Sequence, residues 1–250
     1  MSFRSFAGHI SQSGFITEVT IILIKGKQDM DVELALKALA IRRPIFHSEA
    51  DFQHELAQEL AKQAPGIDVR LEIPASYGEQ ARAFIDLLTH QNGKTTFFEL
   101  KYKTLAIKTQ YENETYSLKN QGAQDQGSYD FIKDIARIEH FVESRPDSEG
   151  YAIMLSNDQR YCRPRRKQNS IDAEFQLIDD RVLSGTFAWG QFAGVGSTKG
   201  RMRPIELRRK YPIQWKPFSY FSLQERLSFR YLSIHVTAET ANTQSELLHV

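Results

Sequence analysis

A single cysteine, Cys162, stands in a chain of 250 residues. One thiol excludes an internal disulfide and a cysteine-based zinc site, and a reducing, cytoplasmic setting is expected. No run of about 18 apolar residues occurs, so no membrane-spanning helix is expected. The first apolar run, Val19 to Ile24, follows the acid Glu18 and precedes no small-residue cleavage site, so a secretory leader is not expected. Internal repeats and low-complexity segments are lacking. There is no Gly-x-Ser-x-Gly elbow, the seven histidines show no metal spacing, and Gly194 to Gly200 lacks the Gly-Lys-Ser/Thr ending of a phosphate loop. Nor is there an excess of charge: 32 Lys and Arg face 31 Asp and Glu. That balance hides local bias. Arg160, Arg163, Arg165, Arg166 and Lys167 cluster without an acid, and Lys199, Arg201, Arg203, Arg208, Arg209 and Lys210 face only Glu206. Such patches can neutralise phosphates.

What is present reads as one large domain with extensions. Residues 1–43 form an N-terminal extension, with a β-branched strand over 15–24 and an Ala/Leu-rich helix over 32–40 that Asp31 can cap. Ser48-Glu49-Ala50-Asp51 has capping-box spacing and predicts a helix to about Gln63, where Pro65-Gly66 stops it. Phe52, Leu56 and Leu60 make its apolar stripe. Strands are expected over 67–73, 82–88 and 94–102, the last two joined at Asn92-Gly93, the strongest hairpin signal in the chain. Residues 104–128 read as a long polar loop that is expected to close over nucleic acid, which Lys108, Lys119 and its many amides suit. A helix from about Tyr129 to Glu143, on which Arg137 and Glu139 read as an ion pair, leads to a buried strand over 151–155. A helical crossover makes that strand parallel to its partner. Beyond residue 158 the chain reads as β-rich. Strands over 175–178 and 185–189 are expected to pair across Asp179-Asp180, followed by strands over 213–215 and 229–236 and a polar tail.

Three charges stand inside apolar strands. Asp86 lies in Phe84-Ile85-Asp86-Leu87-Leu88, and Glu99 and Lys101 lie in Phe97-Phe98-Glu99-Leu100-Lys101-Tyr102. Alternate side chains of a strand share a face, so Glu99 and Lys101 project together, and Asp86 can join them from the neighbouring strand. Charges in such strands must be paired or bind a metal. Phosphodiesters repel an incoming hydroxide, and a divalent cation offsets that charge. Mg²⁺ takes a few carboxylates plus water, so Asp86, Glu99 and the Leu100 carbonyl are the expected ligands of Mg²⁺ or Mn²⁺. Lys101 is expected to orient or deprotonate the attacking water, or to stabilise the phosphorane. Glu-x-Lys alone is weak; its setting carries the argument.

Four runs, Ser48-Glu49-Ala50-Asp51-Phe52-Gln53, Arg70-Leu71-Glu72, Ile85-Asp86-Leu87 and Phe98-Glu99-Leu100-Lys101-Tyr102, together resemble poorly characterised bacterial members of the PD-(D/E)XK nuclease superfamily. So does Tyr129 to Glu139, over a likeness spanning 44–158. The resemblance implies an α/β, restriction-endonuclease-like core of helix, three strands, helix and strand with a mixed central sheet, to which the β-rich C-terminal extension over 159–250 is expected to pack. It implies an endonuclease acting on DNA, in restriction or host defence, with Asp86, Glu99 and Lys101 central. It adds an acid from the first helix, Glu49, with Glu55 as the alternative. Gln53, Arg163, Arg165, Arg166, Lys199, Arg201 and Arg203 are the expected nucleic-acid contacts. Ile85 stands where the superfamily name has proline. Cutting two strands calls for two sites, which would suit a homodimer. The rival readings are a non-catalytic nucleic-acid or protein-binding module of the same fold, and a nuclease acting on RNA.

Overall fold

The computed structural model describes residues 29–77, 80–164, 170–220 and 228–238. The expected strand over 15–24 and the tail beyond Ala238 lie outside the described residues. Helix α1 (Val32–Arg42) starts where the Asp31 carboxylate accepts the Leu34 amide at 3.0 Å. Helix α2 (Glu49–Gln63) starts where Ser48 Oγ accepts the Asp51 amide at 3.2 Å. Asp51 turns its own carboxylate to the His47 amide at 2.8 Å and to Arg43 at 3.0 Å, which replaces the return half of the capping box.

Strands β1 (Asp68–Tyr77), β2 (Gln80–Gln91) and β3 (Lys94–Lys103) form an antiparallel run. Asn92 and Gly93 take φ of 52° and 82°, the positive pair that a two-residue hairpin needs. The expected loop over 104–128 is instead largely ordered. Strands β4 (Ile107–Tyr111) and β5 (Glu114–Leu118) pair as a separate hairpin that buries Ile107, Tyr116 and Leu118. Helix α3 (Gln124–Ser144) begins earlier than expected and crosses to β6 (Ser148–Ser156), which lies parallel to β3 as the crossover predicts.

The segment over 175–178 is not a strand. Phe175 ends a 3₁₀ turn (Ala173–Phe175), and the Arg181 guanidinium donates to the carbonyls of Ala173, Glu174 and Gln176. Those bonds curl the segment back on itself. Strand β7 (Val182–Phe187) pairs across a short helix, α4 (Val195–Thr198), with β8 (Ile205–Pro212). Strands β9 (Trp215–Tyr220) and β10 (Ser228–Thr237) then complete the main sheet, whose order is β1-β2-β3-β6-β10-β9. The sheet is mixed, parallel at β3–β6 and antiparallel elsewhere.

Two apolar layers cover the sheet. On one face α1, α2 and the β4–β5 hairpin pack on Phe98, Leu100, Tyr102, Ile153 and Tyr231. On the other, α3 and the β7–β8 hairpin pack on Phe97, Ala152, Met154, Leu232 and Ile234. Alternation along β3 therefore sends Glu99 and Lys101 toward α3, the face of Phe97. No described helix is long and apolar enough to cross a membrane.

Candidate active site

The site forms where the ladder between β2 and β3 stops. Pairing runs from Gln91–Lys94 to Leu87–Phe98 and goes no further, whereas β3 stays paired with β6 as far as Lys103. The β3 amides facing β2 beyond that point need other acceptors. Asp86 Oδ2 accepts from the Leu100 amide at 2.6 Å, and Glu49 Oε2 from the Tyr102 amide at 2.7 Å. Two carboxylates thus fill the gap that the diverging strands open.

The backbone of β2 and β1 is distorted to allow this. Ile85 packs in the layer under α3 and Leu87 in the opposite layer, so alternation breaks at Asp86. Across β1, between the pairs Leu71–Leu87 and Ile73–Ile85, Glu72 takes a left-handed φ of 52°. That conformation costs a non-glycine residue on the order of 1 kcal/mol. Gln53 braces the kink, donating through Nε2 to Glu72 Oε1 at 2.9 Å and to the Asp86 carbonyl.

On the α3 side four charges interlock. Lys101 Nζ lies 2.7 Å from Asp134 Oδ2 and donates to the Leu100 carbonyl at 3.2 Å. Arg137 joins Asp134 Oδ1 at 3.1 Å and also bonds Glu99 Oε2. Glu99 is 1 % exposed, and its Oε1 has no hydrogen-bond partner among the described residues.

Burial dominates the electrostatics. It pushes the Asp86 carboxyl up to about 6, against the pull of Lys101 and the Leu100 amide. Burial and the nearby Asp134 and Asp86 carboxylates also raise Glu99, with Arg137 opposing. For Lys101 burial alone would favour the neutral amine. Asp134, Asp86 and Glu49 more than reverse that and hold it as a firmly charged ammonium. Asp86, Glu99, Asp134 and Glu49 are four carboxyl groups around two cations, Lys101 and Arg137, a deficit of two cationic groups.

A divalent cation fits that deficit. The unpartnered Glu99 oxygen and the Asp86 carboxylate, strained upward in basicity, are hard oxygen donors of the type Mg²⁺ and Mn²⁺ accept. Among the described residues no three His, Cys, Asp or Glu side chains form a group that could hold a metal ion. A cation here would have only two carboxylates and a carbonyl as protein donors, with water for the rest.

The Asp86 proton has a measurable consequence. With its folded value near 6 against an ordinary 3.8, the folded chain holds the proton more tightly than the unfolded chain. The stability that this proton contributes is complete below about pH 4 and is lost as pH rises through about 6. Asp86→Asn should therefore gain on the metal-free wild type by about 3 kcal/mol between pH 4 and 7. Urea unfolding at several pH values measures this, and a difference that stays flat with pH would contradict it.

The structure separates the other candidates. Glu49 reaches β3, whereas Glu55 is drawn away to Arg42 and Arg43 at 2.6 and 3.1 Å. Gln53 is buried, with its amide spent on Glu72 and Asp86. Arg163 is exposed at a cleft of about 410 Å³ lined also by Leu105, Asn120, Asn157, Asp158 and Arg160. Arg165 and Arg166 lie outside the described residues. Lys199 and Arg203 are exposed, and Arg201 is bidentate on Asp130 at 2.7 and 2.8 Å. Arg137 and Glu139 do not pair with each other. Glu139 accepts from the Arg208 and Arg209 amides and from the Tyr211 hydroxyl, tying α3 to β8.

Sequence reasoning missed Asp134 altogether and missed the role of Arg137. A trace of Asp134 was present: Phe131, Asp134, Ile135 and Ile138 recur at buried helical spacing, which sets an acid within the apolar stripe. Comparison with protein-family models, with curated proteins and with solved structures gives no match.

Proposed function

We propose that this chain is a metal-dependent nuclease that hydrolyses phosphodiester bonds of DNA, built on a restriction-endonuclease-like core. The observation that carries the reading is the meeting of Asp86, Glu99 and Lys101 at the point where β2 and β3 part, among the buried neighbours Ile85, Leu87, Phe98 and Leu100. The element order supports it as well: α2, three antiparallel strands, the inserted β4–β5 hairpin, α3, and β6 parallel to β3. The excess of carboxyl groups over cations in the cluster supports Mg²⁺ or Mn²⁺ as the metal.

A cation held by Asp86, Glu99 and the Leu100 carbonyl would polarise the scissile phosphate and acidify a water. The protein's part is positioning and charge. Asp86 is fixed by the Leu100 amide, and Glu49 fixes the strand next to it through Tyr102. Lys101 is held by Asp134 and kept positive, which suits it to stabilise charge growing on the phosphoryl oxygens rather than to accept a proton. Exposed Arg163, Lys199 and Arg203 suit phosphate contacts.

The reading is tested by incubating supercoiled plasmid with the purified chain. Nicking or linearisation with Mg²⁺ or Mn²⁺, silenced by EDTA, is expected, and matched RNA in competition decides between DNA and RNA. One observation favours a second reading. Arg137 already closes over Glu99, as it would in a binding module whose charges are purely structural. Calorimetry that finds no uptake of Mn²⁺, with or without DNA, would favour that module.

A further inference from the structure

The β7–β8 connection, residues 188–204, presents three large apolar side chains to solvent. Phe192 is 86 % exposed, and Val195 and Met202 are each 78 % exposed. One such residue is ordinary; three on one short connection, beside exposed Lys199 and Arg203, are not. The stretch holds no acid between Asp180 and Glu206.

Their exposure is not looseness. Trp189 Nε1 donates to the Arg201 carbonyl at 2.7 Å and closes the base of the connection. Gln126 Nε2 donates to the Gly196 carbonyl at 2.7 Å, and Ser197 Oγ meets Asp125 at 2.8 Å. The Tyr129 hydroxyl donates to the Arg203 carbonyl at 2.8 Å, and its ring stacks on Trp189. With the Arg201–Asp130 pair, these bonds bind the polar groups to the first two turns of α3. The apolar side chains are left facing outward from a rigid mount. Asp130 holds Arg201, and Asp134 holds Lys101 one turn further along the same helix. One turn is about 6 Å of helix rise, so the mount adjoins the candidate active site.

We propose that this connection is a wedge for duplex DNA: Phe192, Val195 and Met202 press into a base step while Lys199 and Arg203 meet the flanking phosphates. The proposal rests on the nuclease reading of the neighbouring site. Apolar side chains with two exposed cations on the same connection match stacked bases framed by phosphates, and such wedges partly unstack and kink a duplex. An anionic lipid surface shares that charge pattern. The closeness to Asp134 favours DNA, because a strand held at Lys101 has its neighbouring nucleotides beside the start of α3.

The test uses the full chain, a duplex carrying 2-aminopurine, and binding in Ca²⁺ and in EDTA. Wild type should bind and brighten the 2-aminopurine. Phe192→Ser with Met202→Ser should weaken binding about tenfold and abolish the brightening. Lys199→Gln with Arg203→Gln should keep the brightening and lower the salt dependence by about two counterions. Unchanged melting curves show that the variants fold. Equal affinity and equal brightening in the apolar variant would overturn the wedge, and if wild type also cuts plasmid, the nuclease reading stands alone. Binding and brightening without any cutting would remove the nuclease reading and leave the wedge. Apolar-dependent binding to phosphatidylglycerol vesicles, with duplex binding untouched, would replace DNA by lipid. A wild type that binds no duplex overturns both.

Discussion

Glu99→Gln should lower Mg²⁺-dependent cutting of plasmid by about 10³-fold or more while the chain stays folded. The side chain is fully buried, and Oε1 has no hydrogen-bond partner among the described residues, whereas the other such oxygen of the cluster, Asp134 Oδ2, has Lys101 Nζ at 2.7 Å. Glutamine keeps the shape but removes the negative charge that a cation needs. Arg137 retains Asp134 at 3.1 Å, so the substitution does not strand a buried cation. Initial rates of nicking, read beside a thermal melt, measure the effect. Undiminished cutting by a folded variant would contradict the assignment of Glu99.

Arg137→Leu should destabilise the chain by about 3–5 kcal/mol, the usual cost of breaking a buried pair from one side. Arg137 is the guanidinium between Glu99 and Asp134, whose side chains are 0 % and 8 % exposed. Without it, Lys101 alone faces the cluster of acids. Adding Glu99→Gln on that background should restore a large part of the loss, since the stranded charge is then gone. Denaturant unfolding of the four chains of this cycle gives the coupling directly. Costs that simply add would show that Glu99 and Arg137 do not depend on each other.

The legible parts of this molecule are those fixed by near neighbours in sequence. Asp31 and Ser48 cap their helices through bonds three residues long, and Asn92-Gly93 turns its hairpin through its own backbone angles. The parallel pairing of β3 and β6 followed from the helix between them. Asp86, Glu99 and Lys101 stood out because charge in an apolar strand requires a partner. The identity of that partner was not legible, since Asp134 and Arg137 lie on α3 and meet the strands only through the fold. The β4–β5 hairpin was hidden by its polar outer face and by a Glu112-Asn113 turn without glycine, although Ile107, Tyr116 and Leu118 supply a buried side. In β8, Ile205, Leu207 and Tyr211 alternate inward between charges that read as a basic loop. Arg208 and Arg209 there are taken by Glu143 of α3, so that basic run divides into a structural end and an exposed one at Lys199 and Arg203.

The central claim is a cation site between β2 and β3. Anomalous diffraction from crystals soaked in Mn²⁺ tests it most directly. A peak bridging Asp86 and Glu99, within about 2.2 Å of a carboxylate oxygen of each and lost in Glu99→Gln, is the predicted result. A map with no peak there, in crystals of a chain that still cuts DNA in the same Mn²⁺ solution, would contradict it.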